Sequence, residues 1–208
     1  MSANPVIPSA RGRHAPPLEV RLPLQRQRLL RAAAEEFARV GFAGASSETI
    51  SRQAGMSKAT FYEHFSNKEE CILALFDEGA RTVLEAMAEA TATAGDEPTA
   101  RMRAGINAFF QQVATHRNES QTLLVEIIGA GPRATERRDA ILETFANAVY
   151  EEAARDTHGF ASRADAFAVI AAGAELAARH VRLGRPADVR ELEPVLERLL
   201  LGALSQAQ

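Results

Sequence analysis

Apolar residues recur three and four positions apart along most of this chain, and hardly anywhere at every second position. Leu30, Ala33, Phe37 and Val40 mark one helix, which Gly41 is suited to end. Ser46 or Ser47 is placed to cap a short helix closing near Ala54, and Ser57 to cap a second running through His64. Asn67 opens a long helix with Ile72, Leu75, Phe76, Gly79, Val83 and Met87 on one stripe, reaching about Ala94. Gly95-Asp96-Glu97-Pro98 breaks the chain there, and the same spacing predicts helices over about 98–115, 119–129, 133–156, 162–183 and 188–204. Pro194 either starts the last of these or kinks it. No run of β-branched residues alternates with period two, so the predicted class is all-α with about nine helices.

Two of the short helices form a unit. Gly55-Met56-Ser57 joins them as a three-residue turn holding a glycine, the connection a helix-turn-helix requires. Ile50, Ala54, Met56, Phe61 and Phe65 can face Leu30 and Phe37 as a small core. Turning Phe61 and Phe65 inward at about 100° per residue leaves Ala59, Thr60, Tyr62 and Glu63 outward, flanked by Lys58 and His64. A helix over about 58–64 is slim enough for the DNA major groove. Thr60 and Tyr62 offer hydroxyls, Ala59 can pack on a thymine methyl, and Lys58 and Lys68 supply cations. Behind the Asn67 cap, the amides of the following helix could also face a phosphate.

The run Ala54-Gly55-Met56-Ser57-Lys58-Ala59-Thr60-Phe61-Tyr62-Glu63-His64-Phe65-Ser66-Asn67-Lys68-Glu69-Glu70 resembles the signature of TetR-family transcriptional regulators. Ala33, Phe37 and Gly41-Phe42 fit the same pattern, so the resemblance covers about residues 24–80. It departs at Ser47, where the family often has an apolar residue, and at Cys71, where leucine is usual. Carried over position by position, it implies DNA contacts from Ser46, Lys58, Ala59, Thr60, Tyr62, His64 and Lys68.

Charge then changes meaning. The formal total of −3 argues at first against nucleic acid. Residues 1–66, however, hold 9 lysines and arginines against 5 acids, a net of +4, while residues 67–208 hold 15 against 22, a net of −7. A basic head on an acidic body is the footprint of a DNA reader. Five of the nine prolines fall in residues 1–23 beside Arg11, Arg13 and Arg21, which predicts a disordered basic arm with no secretory leader. One cysteine excludes a disulfide framework, and no apolar run is long enough for a membrane, so a cytoplasmic location is expected. The histidines show no metal spacing, Cys71 reads as a small core residue, and Gly129-Ala130-Gly131-Pro132 reads as a helix terminator.

From Pro98 onward the chain carries no catalytic constellation, and the sequence predicts no enzyme, cofactor or metal site. The domain plan is an arm (1–23), a helix-turn-helix domain (24–80) and an effector-binding and dimerisation domain (81–208). The resemblance implies a pocket for an apolar or amphipathic small molecule, to which we assign Phe109, Phe110, Leu124, Ile128, Phe145 and Phe167, with Arg103 and Glu126 as candidate polar partners. Leu176, His180 and Leu183, with Leu192, Leu196, Leu199 and Leu200, carry more apolar surface than one domain face needs; similar proteins pair such helices into a homodimer. The expectation is a homodimeric repressor that an effector releases from a pseudo-palindromic double-stranded DNA operator. The alternatives are an activator, an effector-independent regulator, or a small-molecule-binding helical protein without DNA function.

Overall fold

A computed structural model of the chain describes residues 17–155 and 159–205. Among the described residues nine α-helices follow in order: α1 (Leu18–Gly44), α2 (Ser47–Gln53), α3 (Lys58–His64), α4 (Lys68–Thr93), α5 (Pro98–Thr115), α6 (Arg117–Leu124), α7 (Pro132–Ala153), α8 (Arg163–Arg182) and α9 (Glu193–Ser205). Short 3-10 segments, Glu126–Gly129 and Pro186–Leu192, lie ahead of α7 and α9. There is no strand among the described residues, and no helix there is long and apolar enough to cross a membrane.

Side-chain chemistry sets most boundaries. Ser46 accepts from the Thr49 amide, Ser57 from the Thr60 amide, Asn67 from the Glu70 amide, Glu97 from the Thr99 and Ala100 amides and Ser162 from the Asp165 amide, so five of the described helices open on side-chain caps. Gly55 closes α2 at φ 64°, with the Gly55 amide on Arg52 O and the Met56 amide on Ser51 O. That bond pair satisfies carbonyls the helix leaves open and needs a left-handed residue.

The helices bury two clusters of apolar side chains. One joins α1 (Leu29, Leu30, Phe37), α2–α3 (Ile50, Phe61, Phe65) and α4 (Ile72, Phe76), and it also takes in Ile127, Ala130 and Ala134 from beyond residue 81. The other gathers α5, α8 and α9 around Phe110, Val169, Leu196 and Leu200. Helix α4 runs unbroken through the expected domain boundary at 80/81, so the two halves of the chain share a helix.

Three predicted boundaries shift. Helix α1 begins at Leu18 rather than beyond residue 23 and carries Pro23 inside it; Pro17, which lacks an amide hydrogen, leads into its first turn. Residues 1–16 of the expected arm lie outside the described residues. The single helix expected over 119–129 breaks at Val125 (φ −123°, ψ −61°) and continues as a 3-10 turn. The one expected over 188–204 is likewise a 3-10 segment followed by α9, with Pro194 in the first turn of α9, where its missing amide hydrogen is harmless.

Phe110 is fully buried at the centre of the second cluster. Phe110→Ala should therefore lower stability by about 3–5 kcal/mol, read from the urea midpoint; a loss below about 1 kcal/mol would contradict this packing.

Candidate nucleic-acid interface and effector cavity

Helix α3 has only seven residues, too few to persist alone. Phe61 anchors it, fully buried, with the rings of Tyr62 and Phe65 at 5.6 and 5.5 Å. Arg28 of α1 donates to Ala54 O at 2.9 Å, tying the turn between α2 and α3 to the first helix. Lys58, Ala59, Tyr62 and Glu63 are left exposed and Thr60 half-buried, the outward set the sequence predicts. Tyr62 is 50% exposed. Its hydroxyl lies 3.1 Å from Ser47 Oγ and its ring 6.0 Å from the Lys58 ammonium. Ser47 is not among the predicted contacts, although its departure from the usual apolar residue marks the position in the sequence.

The other three predicted contacts are built differently. Ser46 is the N-cap of α2, in a reciprocal box with Thr49. His64 turns inward, half-buried, and its Nε2 is buried without a hydrogen-bond partner. Burial holds its pKa below the usual histidine value; Glu63 opposes that shift and Arg26 adds to it. Lys68 places its ammonium on Phe42 O (2.7 Å), Ala45 O (3.0 Å) and Ala43 O (3.3 Å), over the Phe42 ring at 4.5 Å. Those carbonyls engage its three donors, so Lys68 closes the α1–α2 connection instead of projecting a free cation. At the start of α4 the Asn67 side chain takes the Glu70 amide at 2.8 Å, and the Glu70 carboxylate reaches back to the Ser66 amide at 2.7 Å and hydroxyl at 2.5 Å. The Ser66 hydroxyl and amide in turn hold the Glu70 carboxyl below its ordinary pKa.

Behind this face a cavity of about 690 Å³ runs between α4, α5 and α7, bounded also by α1, α6, α8 and α9. Its size suits a small-molecule ligand. Of the predicted lining, Phe109, Leu124 and Phe145 face it, and Phe110, Ile128 and Phe167 do not. Phe110 neighbours Phe109 on α5, about 100° around the helix, and points into the core. Ile128 lies on the 3-10 turn and is 49% exposed. Phe167 precedes the stretch of α8, from Val169 to Ala174, that borders the space. Arg103, paired with Glu197 at 2.6 Å, and Glu126, which binds the α1 exit turn, both lie outside the cavity lining. Of the predicted dimer residues, Leu196 and Leu200 are buried in their own protomer and line the cavity, because α9 turns that edge inward. Leu176, His180 and Leu192 are half-buried; Leu183 (54%) and Leu199 (44%) remain exposed. Cys71 is fully buried and its thiol is pushed up to about 12, chiefly by that burial, as its core reading implies.

Comparison with known proteins bears on this arrangement. Residues 29–75 match the family described as bacterial regulatory proteins, tetR family. The chain is 31% identical over 173 residues to the HTH-type transcriptional activator FasR of Mycolicibacterium smegmatis, covering 81% of this chain and 78% of that one. The chain belongs to the tetR family of bacterial regulatory proteins. This tetR-family protein is thus a DNA-binding transcriptional regulator and not an enzyme. A shorter match, 37% over 68 residues (33% of this chain, 36% of the relative), is to the HTH-type transcriptional repressor AcnR of Corynebacterium diphtheriae. Among solved structures, FadR from Bacillus subtilis in complex with stearoyl-CoA has the same fold, with a TM-score of 0.74 at 20% identity over 85% of this chain and 98% of that one.

The two lysines should separate experimentally. On duplex DNA from upstream of the chain's own coding sequence, Lys58→Ala should reduce the slope of log affinity against log salt by about 1. Lys68→Ala should weaken binding with the slope unchanged; a slope loss from Lys68→Ala equal to that from Lys58→Ala would refute the assignment. A folded-state histidine pKa below the unfolded one means that stability is full above the usual value of 6.5 and falls as pH drops through it, because the unfolded chain takes up the proton first. His64→Gln should flatten that loss between about pH 7 and 5, as followed by thermal unfolding. An equally steep acid limb in this variant would show that His64 is not the group responsible.

Proposed function

We propose that this protein is a homodimeric repressor that leaves a pseudo-palindromic operator when a small amphipathic molecule occupies its cavity. The observation that carries this reading is an exposed α3 face held on the same core as a helical body that lines a ligand-sized space. Residues 24–80 read DNA in this account and residues 81–208 dimerise and bind the effector, with α4 common to both. Lys58, Ala59, Thr60 and Tyr62 enter the major groove, while Ser46, His64 and Lys68 hold the helices in place behind them. The partner subunit packs on α8 and α9 around Leu183 and Leu199, setting the spacing between two α3 helices.

The cavity also suggests the class of effector. Its walls are largely apolar, with Val83, Met87, Ile106, Phe109, Phe145 and Ile170 among them, and arginines 31 and 138 border it. Such a space suits a long acyl chain with an anionic head, and FadR of Bacillus subtilis was solved with stearoyl-CoA. Effector binding would shift the dimer toward a spacing that no longer matches two adjacent grooves, by as much as its affinity differs between the two states. A second reading, activation, is favoured by the likeness to the activator FasR. A promoter reporter distinguishes them, since deleting the gene raises expression under repression and lowers it under activation.

Binding to the chain's own upstream DNA, titrated with salt, tests the core of the proposal. Affinity should fall steeply and linearly on a log–log plot, with a preference of about a thousandfold or more over unrelated duplex. Light scattering at micromolar concentration should return a dimer. Absence of sequence preference would overturn the operator reading, and a monomer would overturn the dimer.

A further inference from the structure

Glu126 lies in the 3-10 turn after α6, within the half of the chain proposed to bind effector, yet its carboxylate points at the DNA-reading half. Oε2 accepts from the Phe42 amide at 2.7 Å, and Oε1 accepts from Gln121 Nε2 at 2.9 Å. Phe42 follows Gly41, where α1 is interrupted at φ 74°. A Cβ on residue 41 would stand 3.3 Å from that same carboxylate oxygen, so glycine serves both the left-handed turn and the approach of Glu126. From the other side the Lys68 ammonium holds Phe42 O and Ala45 O. Three residues, 43–45, separate Phe42 from Ser46, the cap of α2. The connection that sets where α2 and α3 sit is therefore gripped at its start by a carboxylate from the effector half and along its length by an ammonium from α4.

Helix α6 makes the other connection. Glu119, Ser120, Leu123 and Leu124 border the cavity, and Leu123 lies against Gly79 of α4 closely enough that a Cβ there would fall 2.6 Å from Leu123 Cδ1. Gln121, on the same helix, orients Glu126.

We propose that Glu126 is a positioning residue for DNA binding: it fixes the α1 exit turn, and with it the recognition helix, from the 3-10 turn that directly follows a helix walling the cavity. The corollary that an effector displacing α6 loosens this grip rests on the effector reading above; the role in DNA binding does not.

The test uses the full-length protein, DNA from upstream of its own coding sequence, and hydrogen–deuterium exchange of the peptide spanning residues 40–46. A charged hydrogen bond of this kind predicts that Glu126→Ala lowers DNA affinity about tenfold or more. Exchange at residues 42–45 should rise while amides of α8 stay as in the wild type. Glu126→Gln, whose amide oxygen can still accept from Phe42, should bind DNA within about threefold of the wild type. Gln121→Ala leaves the carboxylate in place but unoriented, so it gives a milder loss in the same direction and covers the case in which Glu126→Ala does not fold. Unchanged affinity and unchanged 42–45 exchange in Gln121→Ala would overturn the proposal. So would a Glu126→Ala defect that Gln fails to rescue and that α8 amides share, since that marks general destabilisation. Palmitoyl-CoA serves as the cavity probe. Binding that accelerates 42–45 exchange supports the corollary, and binding that leaves it unchanged refutes it. Absence of binding counts against the acyl effector alone, with Glu126 decided by the variants.

Discussion

The apolar stripe of α1 must be covered on more than one side, and much of the molecule follows from how this is done. Leu29, Leu30, Ala33 and Phe37 are buried together with Ile50, Phe61 and Phe65 of the reading helices and with Ile127, Ala130 and Ala134 of the body. Neither half of the chain completes that cluster alone. Its consequence is mechanical, because a packed interior at crystal-like density passes on small shifts and does not absorb them. Helix α4 strengthens the coupling by supplying Ile72 and Phe76 to the shared cluster and Val83 and Met87 to the cavity wall.

Within that frame the reading helices are held by capping and ring packing instead of by length. Seven-residue helices have little stability of their own, so Ser46 and Ser57 each satisfy a leading amide and Phe61 fixes α3 against the core. Residues without such tasks, Lys58, Ala59 and Tyr62 among them, keep their side chains at the surface. Along the chain, the first 66 residues carry a net charge of +4 and residues 67–208 a net of −7.

Local chemistry was legible in the sequence wherever it acts over a few residues. The serine caps, Gly55, the Phe61/Phe65 spacing and the span of α3 all follow from neighbouring positions. Legibility ended where long-range packing decides. Phe109 and Phe110 look alike in sequence, and only the placement of α5 sends one to the cavity and the other to the core. Lys68 resembles a phosphate ligand until the fold brings the carbonyls of residues 42–45 to it, and Glu126 meets Phe42 across 84 positions. The inward turn of Leu196 and Leu200 depends on Gly173, whose missing side chain lets Leu196 approach α8.

The composition supplies a direct test of the shared core. The chain has no tryptophan and two tyrosines, Tyr62 on the reading helix and Tyr150 on α7. Tyr150→Phe and Tyr62→Phe therefore leave a single fluorescent reporter in each half. Urea unfolding of each variant, followed by tyrosine emission and by far-ultraviolet circular dichroism, should give superimposed transitions, because the reading helices cannot lose their core while the body keeps its own. A Tyr62 transition completed at lower urea than the circular dichroism change would show that the reading head melts independently, and would contradict the account.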